Sequence, residues 1–390
     1  VRKPLSAFII DSEEHALLRE SVSKFAAKYG QQYFLERSRA GEKVDELWTD
    51  LGQAGLLGVH LPEEYGGGGA GMSEMLIVIE ELASHGFPLL LAVVSPAICG
   101  SILAAHGSDQ MKSEWLPGLA DGSRKMAFGL TEPDAGSNSH NVSTTARRDG
   151  DDWIISGSKY FISAIDECEA ILLITRDPDF VGKSRSPLSM FVVPTDMPGV
   201  TLQNLPTAVV SPDHQFTVFF DEVRVGPEAL IGAAGNGLRQ VFAGLNPERI
   251  LASGISTGIG RYAVSKAVAY AQNRQVWSVP IGAHQGVSHP LAEAHIAVEL
   301  ARMAAYRAAE LFDSGLPAAE AANIAKFTAA DASLKALDQA IQTHGGNGLA
   351  LEYGLAELWF SARLLKTAPV SREMVLNFVA QTSLELPASY

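Results

Sequence analysis

The chain has 390 residues, 47% apolar and 19% charged, and its 30 basic and 44 acidic side chains give a net charge of −14. That balance argues against a nucleic-acid partner, which needs a basic face, and no apolar run approaches the roughly 20 residues that span a bilayer. Two cysteines, Cys99 and Cys168, are too few for a disulfide framework or a metal cluster, so no metal is expected and a reducing compartment suits them.

In chain order, Val1-Arg2-Lys3-Pro4 lacks the apolar core of a signal peptide. Asp11-Ser12-Glu13-Glu14 ahead of His15–Leu18 reads as a helix start with acidic first-turn residues. An amphipathic run follows from Glu46 to Leu57. Glu64-Tyr65-Gly66-Gly67-Gly68-Gly69 is a connector without the Lys and Ser/Thr of a phosphate loop. Met72–Ala83 returns to helix. Residues 1–125 therefore read as a helical domain.

Between 126 and 233 the texture changes to short runs of Val, Ile, Phe and Thr broken by Gly, Asp, Asn and Pro: Trp153–Ser156, Ala170–Thr175, Ser189–Val193, Phe216–Phe220. This pattern predicts a small antiparallel β domain. Within it, Phe128-Gly129-Leu130 breaks into Thr131-Glu132-Pro133-Asp134-Ala135-Gly136-Ser137, exposing hydroxyls and backbone N–H groups at a strand end. A second apolar run, Trp153 to Ser163, also closes on a hydroxyl. From 234 to 390 the chain is Ala-rich, with helices expected over Ile250–Gln272, Pro290–Phe312, Ala318–His344 and Val370–Gln381, enough for a four-helix bundle. The fold class is α+β: helical domain, antiparallel β domain, helical bundle.

Several segments in this order resemble the acyl-CoA dehydrogenase family of flavoproteins over nearly the whole chain. They are Pro62-Glu63-Glu64-Tyr65-Gly66-Gly67, Leu130-Thr131-Glu132-Pro133 with Ala135-Gly136-Ser137, and Lys159–Ser163. Further along come Arg274 and Trp277 before Pro280, then Gln285, then Gln342 with His344-Gly345-Gly346-Asn347-Gly348. The resemblance implies FAD-dependent α,β-dehydrogenation of an acyl-CoA thioester to the 2-enoyl-CoA. A protein base takes the α-proton and the flavin takes a hydride. It places Phe128, Leu130, Thr131, Gly136 and Ser137 along the flavin, with Ser137 also toward substrate, and Phe161 and Ser163 on the other side of the ring. The family often carries Trp and Thr at those last two positions; Phe keeps a stacking surface and Ser a hydroxyl.

By the same resemblance Arg274 clamps the FAD pyrophosphate of a neighbouring subunit, a task suited to guanidinium. Trp277 lies against that cofactor, although Phe-Gly is usual there and Ser278 follows here. Gln285, Gln342, His344, Gly345 and Gly346 serve the same cofactor, and Ser371 and Glu373 match later flavin-contacting positions. Such sharing implies an oligomer, a homotetramer in the family.

Most family members carry the base as a glutamate near the C-terminus, a position that falls on Pro369 in this chain. A minority branch places it in a Glu-Arg pair about 25 residues before the pyrophosphate arginine. Glu248-Arg249 matches that pair, so Glu248 is expected to be the base, with Asn246 and Arg249 toward substrate. Read locally, Asn246-Pro247-Glu248 is also a helix start, whose dipole would lower the pKa of Glu248. Desolvation by the bound acyl chain is expected to overcome this. Proline has no N–H, so the backbone donor that the family uses for the thioester oxygen is expected to shift to Ala368 or Val370. The resemblance implies electron-transfer flavoprotein as acceptor, in the cytoplasm of a bacterium or the matrix of a mitochondrion. The competing readings are an acyl-CoA oxidase or flavin monooxygenase on the same scaffold, and a non-catalytic subunit of a hetero-oligomer.

Overall fold

The computed structural model describes residues 11–178 and 187–388; the Val1–Pro4 segment lies outside them. Helix α1 (Glu13–Ala40) starts where Ser12 Oγ accepts the N–H of His15 at 3.1 Å and ends at Gly41, whose φ of 69° suits glycine. The amphipathic run becomes α2 (Asp45–Gln53), and the Gly-rich connector follows a 3₁₀ turn at Glu63–Tyr65. Helix α3 (Met72–Ser84) is capped from far away in sequence: the Asp313 carboxylate accepts the N–H groups of Met72 at 2.6 Å and Ser73 at 2.9 Å.

Next come α4 (Leu90–Ala92), a π-helix (Val93–Gly100), α5 (Ser101–His106) and α6 (Asp109–Asp121). The π-helix is buried along its whole length and contains Pro96, which cannot donate to the helical ladder. A side chain from outside also reaches this helix, since His60 Nε2 lies 3.2 Å from the Pro96 carbonyl.

The central sheet runs β6-β7-β3-β2-β4-β5-β8, with β1 off this path beside β4. Its strands are β1 (Met126–Gly129), β2 (Thr145–Asp149), β3 (Asp152–Ser163), β4 (Ala170–Arg176), β5 (Leu188–Pro194), β6 (Val200–Asn204), β7 (Gln215–Val225) and β8 (Leu230–Ile231). The expectation of a wholly antiparallel domain needs correction. β1 runs parallel to β4, Met126 opposite Ala170 through Gly129 opposite Leu173, and β2 meets β4 in parallel at Thr145–Arg176. The β2–β3 hairpin and the segment after it intervene between β1 and β4, a connection long enough for a parallel pairing.

After α7 (Gly237–Gln240) comes the 32-residue α8 (Phe242–Asn273). A short hairpin, β9 (Gln275–Val276) and β10 (Val279–Pro280), leads to α9 (Gln285–Asp313), α10 (Ala319–His344), α11 (Leu358–Thr367) and α12 (Arg372–Thr382). Helices α8, α9 and α10 pack on one another, and α8 also packs on α3. Helix α11 was not foreseen. Apolar side chains of all three regions join one continuous core. Among the described residues no helix is long and apolar enough to cross a membrane.

The expected helix start at Asn246-Pro247-Glu248 is also corrected. Helix α8 begins at Phe242, which puts Pro247 in its second turn. Close packing decides this. Gly244 lies so near the π-helix that a Cβ there would sit 2.8 Å from the Ile98 and Ile102 side chains and 2.9 Å from the Ile98 carbonyl. Asn246 caps nothing; its Oδ1 faces Arg249 Nη1 at 3.4 Å.

A buried ionic cluster joins α1, α3, α8 and α9. Glu80 accepts from Arg302 Nε (2.7 Å), Tyr306 Oη (2.9 Å), Thr257 Oγ1 (2.9 Å) and Arg19 Nη1 (3.0 Å). Burial alone would raise its pKa, but Arg302, Arg261 and Arg19 outweigh that and hold the carboxyl well below its ordinary value.

Candidate active site

The first wall of the site is built where β1 ends against a bulge in β3. The register of β3 with β7 slips between Lys159 and Ile162, and Phe161 adopts φ 57° and stands 53% exposed. An outward aromatic in the left-handed region is costly and marks a bulge that re-aims its side chain. The Tyr160 N–H donates to the Thr131 carbonyl at 2.8 Å, which fixes the bulge to the Leu130–Thr131 turn. Ser163 ends β3 with its hydroxyl 3.0–3.1 Å from the Gln215 amide.

Beneath this turn lies a pair that sequence reasoning did not assign. Lys159 Nζ, fully buried, donates to Glu132 Oε1 at 2.7 Å and to the Leu130 carbonyl at 3.1 Å. The other donors to Glu132 are Ser143 N and Oγ and Thr144 N. Burial penalises the Glu132 charge, but Lys159 and these donors outweigh it and hold the carboxyl down at about 2. The Thr131–Ser137 loop is thus anchored from below, while Gly136 and Ser137 lie open to solvent with nothing within 4 Å of a Cβ at Gly136.

Glu248 sits in the second turn of α8, opposite the π-helix. Protein surrounds it on nearly every side, yet its side chain still touches solvent. Its carboxylate makes no hydrogen bond among the described residues. Burial pushes its pKa up to about 7, against the opposing pull of Arg249 and Lys326. The sequence reading placed this desolvation in the bound acyl chain, and a helix dipole against it. The protein alone supplies the burial, and Glu248 is not at a helix start. Arg249 donates to the Leu245 carbonyl at 3.0 Å, stacks over Phe242 and leaves its Nε buried without a partner.

The π-helix connects Glu248 to the β1 wall. Ser95 Oγ accepts the N–H of Met126 at 3.0 Å, and Cys99 Sγ lies 3.5 Å from the Ala127 carbonyl. Cys99 is fully buried, and burial together with the charge of Glu248 raises its thiol.

Pro369 follows a cis peptide bond from Ala368. The Ala368 N–H is already engaged, donating to the Leu364 carbonyl at 2.9 Å, whereas the Val370 N–H has no partner among the described residues. Ser371 caps α12 by accepting the N–H of Met374, and Glu373 lies in that helix's first turn. A second unassigned lysine appears here: Lys326 of α10, 2% exposed, whose ammonium meets the carbonyls of Lys366 at 3.3 Å and of Val370.

At the far end of α8 a recess of about 350 Å³ gathers Arg274, Gln342, His344, Gly345 and Gly346 with Tyr270 and Asn347. His344 Nδ1 bonds the Ala340 carbonyl, and its ring lies 4.2 Å from that of Tyr270. A Cβ at Gly345 or Gly346 would meet nothing within 4 Å, so the backbone is open to a ligand. Trp277 and Gln285 lie outside this lining; Trp277, at φ 57°, is 89% exposed.

Three consecutive family profiles match the chain: "Acyl-CoA dehydrogenase, N-terminal domain" over residues 12–123, "middle domain" over 127–223 and "C-terminal domain" over 235–384. Acyl-CoA dehydrogenase FadE12 of Mycobacterium tuberculosis is 56% identical over 384 residues, covering 98% of each chain. The structure of butyryl-CoA dehydrogenase from Megasphaera elsdenii superposes with a TM-score of 0.91 at 25% identity, covering 97% of this chain and all of that one. A glutaryl-CoA dehydrogenase from Mycobacterium smegmatis in complex with FADH2 superposes at 0.90 with 25% identity, over 97% and 96% of the two chains. The β1–β3 wall, Glu248 and the glycine-lined recess thus occur in a chain that belongs to the acyl-CoA dehydrogenase family of FAD-dependent oxidoreductases.

Proposed function

We propose that the protein removes the α-proton of an acyl-CoA thioester with Glu248 and forms the 2-enoyl-CoA, FAD being the hydride acceptor. The observation that carries this reading is the Glu248 carboxylate opposite the π-helix, without a hydrogen-bond partner among the described residues and pushed by burial to a pKa of about 7. A base that works at neutral pH needs that poise.

The residues present fit FAD. Phe161 offers an exposed aromatic face, Gly136 an open backbone, and Arg274 with Gln342 and the bare Gly345–Gly346 backbone an anion- and dinucleotide-accepting recess. When bound, FAD supplies the two-electron oxidation. Phe128, Leu130, Thr131, Ser137, Phe161 and Ser163 would hold the ring side; Arg274, Trp277, Gln285, Gln342, His344, Gly345 and Gly346 the dinucleotide side; Ser371 and Glu373 flank it. These two groups do not serve one FAD from a single chain. Glu248, which the π-helix links to the β1 wall, and Arg274, the C-cap of α8, are 26 residues apart, about 39 Å along the helix axis. The site is therefore shared between copies, as in a homotetramer.

Asn246 and Arg249 orient the substrate beside the base. With Pro369 lacking an N–H and Ala368 engaged, the protein donor to the thioester oxygen is the Val370 N–H. The acceptor of the electrons is electron-transfer flavoprotein.

A panel of saturated acyl-CoA thioesters, added anaerobically to the purified protein, tests the reading. At least one should bleach the flavin absorbance, and Glu248→Gln should keep FAD but lose bleaching. Full turnover in that variant would remove Glu248 from the mechanism. Hydrogen peroxide formed in equal amount to product in air would replace the dehydrogenase by an oxidase.

A further inference from the structure

Lysine is rarely fully buried, and when it is, it is held by carboxylates or several carbonyls. Lys326 on α10 is covered almost completely, and neither of the hydrogen bonds its ammonium makes is to a carboxylate. Its two acceptors are the carbonyls of Lys366 and Val370, at the two ends of the segment that carries Ala368-Pro369. One charge thereby ties the end of α11 to the start of α12. The other charged groups that act on it are Glu248 and Arg249 from α8, Glu373 from α12, and Asp331 from α10. Asp331 is itself paired with Lys366 at 2.5 Å. Glu248 in turn is acted on by Arg249 and Lys326, and it faces Cys99 of the π-helix.

We propose that Lys326 is a positioning residue for the reaction: it pins the 366–370 segment to the bundle beside Glu248 and sets the charge that this base faces. The inference rests on Glu248 being the base. An apolar side chain at 326 would release both carbonyls and remove a cation that acts on Glu248. An arginine would keep the charge but cannot place a compact ammonium between two carbonyls.

Two pH limbs make this measurable. The base must be ionised, so turnover rises as pH rises through the Glu248 pKa near 7. Burial and Arg249 lower Lys326 to about 8, so its positive charge is lost as pH rises through that value and the tie weakens to the two N–H donors of a neutral amine. Wild-type kcat should therefore be confined to a narrow window between these limbs.

The experiment is the pH profile of kcat for wild type, Lys326→Met, Lys326→Gln and Lys326→Arg, each checked for FAD content and oligomeric state. The acyl-CoA is the one that bleaches wild-type flavin fastest. Lys326→Met should lower kcat about tenfold or more and move the acid limb up by about one unit, because the loss of a nearby cation raises the Glu248 pKa. Lys326→Gln, which keeps two donors without the charge, should show the same limb shift with a smaller loss. Lys326→Arg should keep the acid limb and lose the fall near pH 8. Wild-type limbs and rate in Lys326→Met with FAD bound would overturn the proposal. If Lys326→Met does not fold, an unchanged alkaline limb in Lys326→Arg would overturn it equally. Full turnover in Glu248→Gln would instead overturn the reading of the base.

Discussion

Glu248, in the second turn of α8, and Arg274, its C-cap, are 26 residues apart, about 39 Å along the helix axis. Under the proposed function each would serve a different active site, and a single α8 would serve two.

This separation allows complementation. Glu248→Gln and Arg274→Ala should each be inactive as pure assemblies, the first for want of a base and the second for want of bound FAD. In a mixed pair, one of the two shared sites has both residues intact. Co-expression should then restore about a quarter of wild-type activity for random pairing across a two-fold interface. Activity no higher than that of either parent would show that the two groups do not share a cofactor.

The acid limb of kcat/KM should lie near pH 7 even before substrate binds, because burial by the protein itself raises Glu248. The sign follows from the base being useful only when ionised: activity rises with pH through that value. Glu248→Asp should keep a limb but lower the rate, while Glu248→Gln should lower it by about 10²–10⁴. Steady-state rates between pH 5.5 and 9 check this.

Lys159→Met leaves Glu132 charged, buried and without its cation. Removing one partner of a buried pair costs about 3–5 kcal/mol, so the melting temperature should fall and FAD should be lost on gel filtration. Replacing Glu132 by Leu as well should recover much of the stability but not the FAD, since the Thr131 turn would no longer be anchored. Thermal melts and the flavin-to-protein absorbance ratio separate the two effects.

Glu80 makes the fold acid-sensitive. Its pKa is held below the unfolded value by three arginines, so its stabilisation is fully present above the unfolded pKa and is lost as pH falls through that range toward the folded one. Glu80→Gln should be destabilised at pH 7 and should show a weaker dependence of melting temperature on pH between 5 and 3. An unchanged pH dependence would place the acid sensitivity elsewhere.

The helical–β–helical order was legible because period and composition change near residues 126 and 234. The Glu248-Arg249 pair stood out only through the family resemblance, which places such a pair about 25 residues before the arginine at 274. Its local setting did not, since Asn246-Pro247 carries every local mark of a helix start. The helix runs through it from Phe242, where Gly244 lets α8 approach Ile98 and Ile102, residues far away in sequence. The parallel pairing of β1 with β4 is likewise a long-range choice that strand pattern does not encode. Lys159 and Lys326 went unassigned because an isolated lysine reads as a solvated side chain. The apolar neighbours Ile324, Ala325 and Phe327 around Lys326 were the available hint.

The π-helix from Val93 to Gly100 touches the β1 wall through Ser95 and Cys99 and touches α8 at Gly244. Under the proposed function it would act as a spacer bar of fixed gauge between the wall that receives the hydride and the carboxylate that receives the proton. Both of its ends run directly into helix, α4 at Ala92 and α5 at Ser101, so its length and angle are set by buried backbone and not by a surface loop.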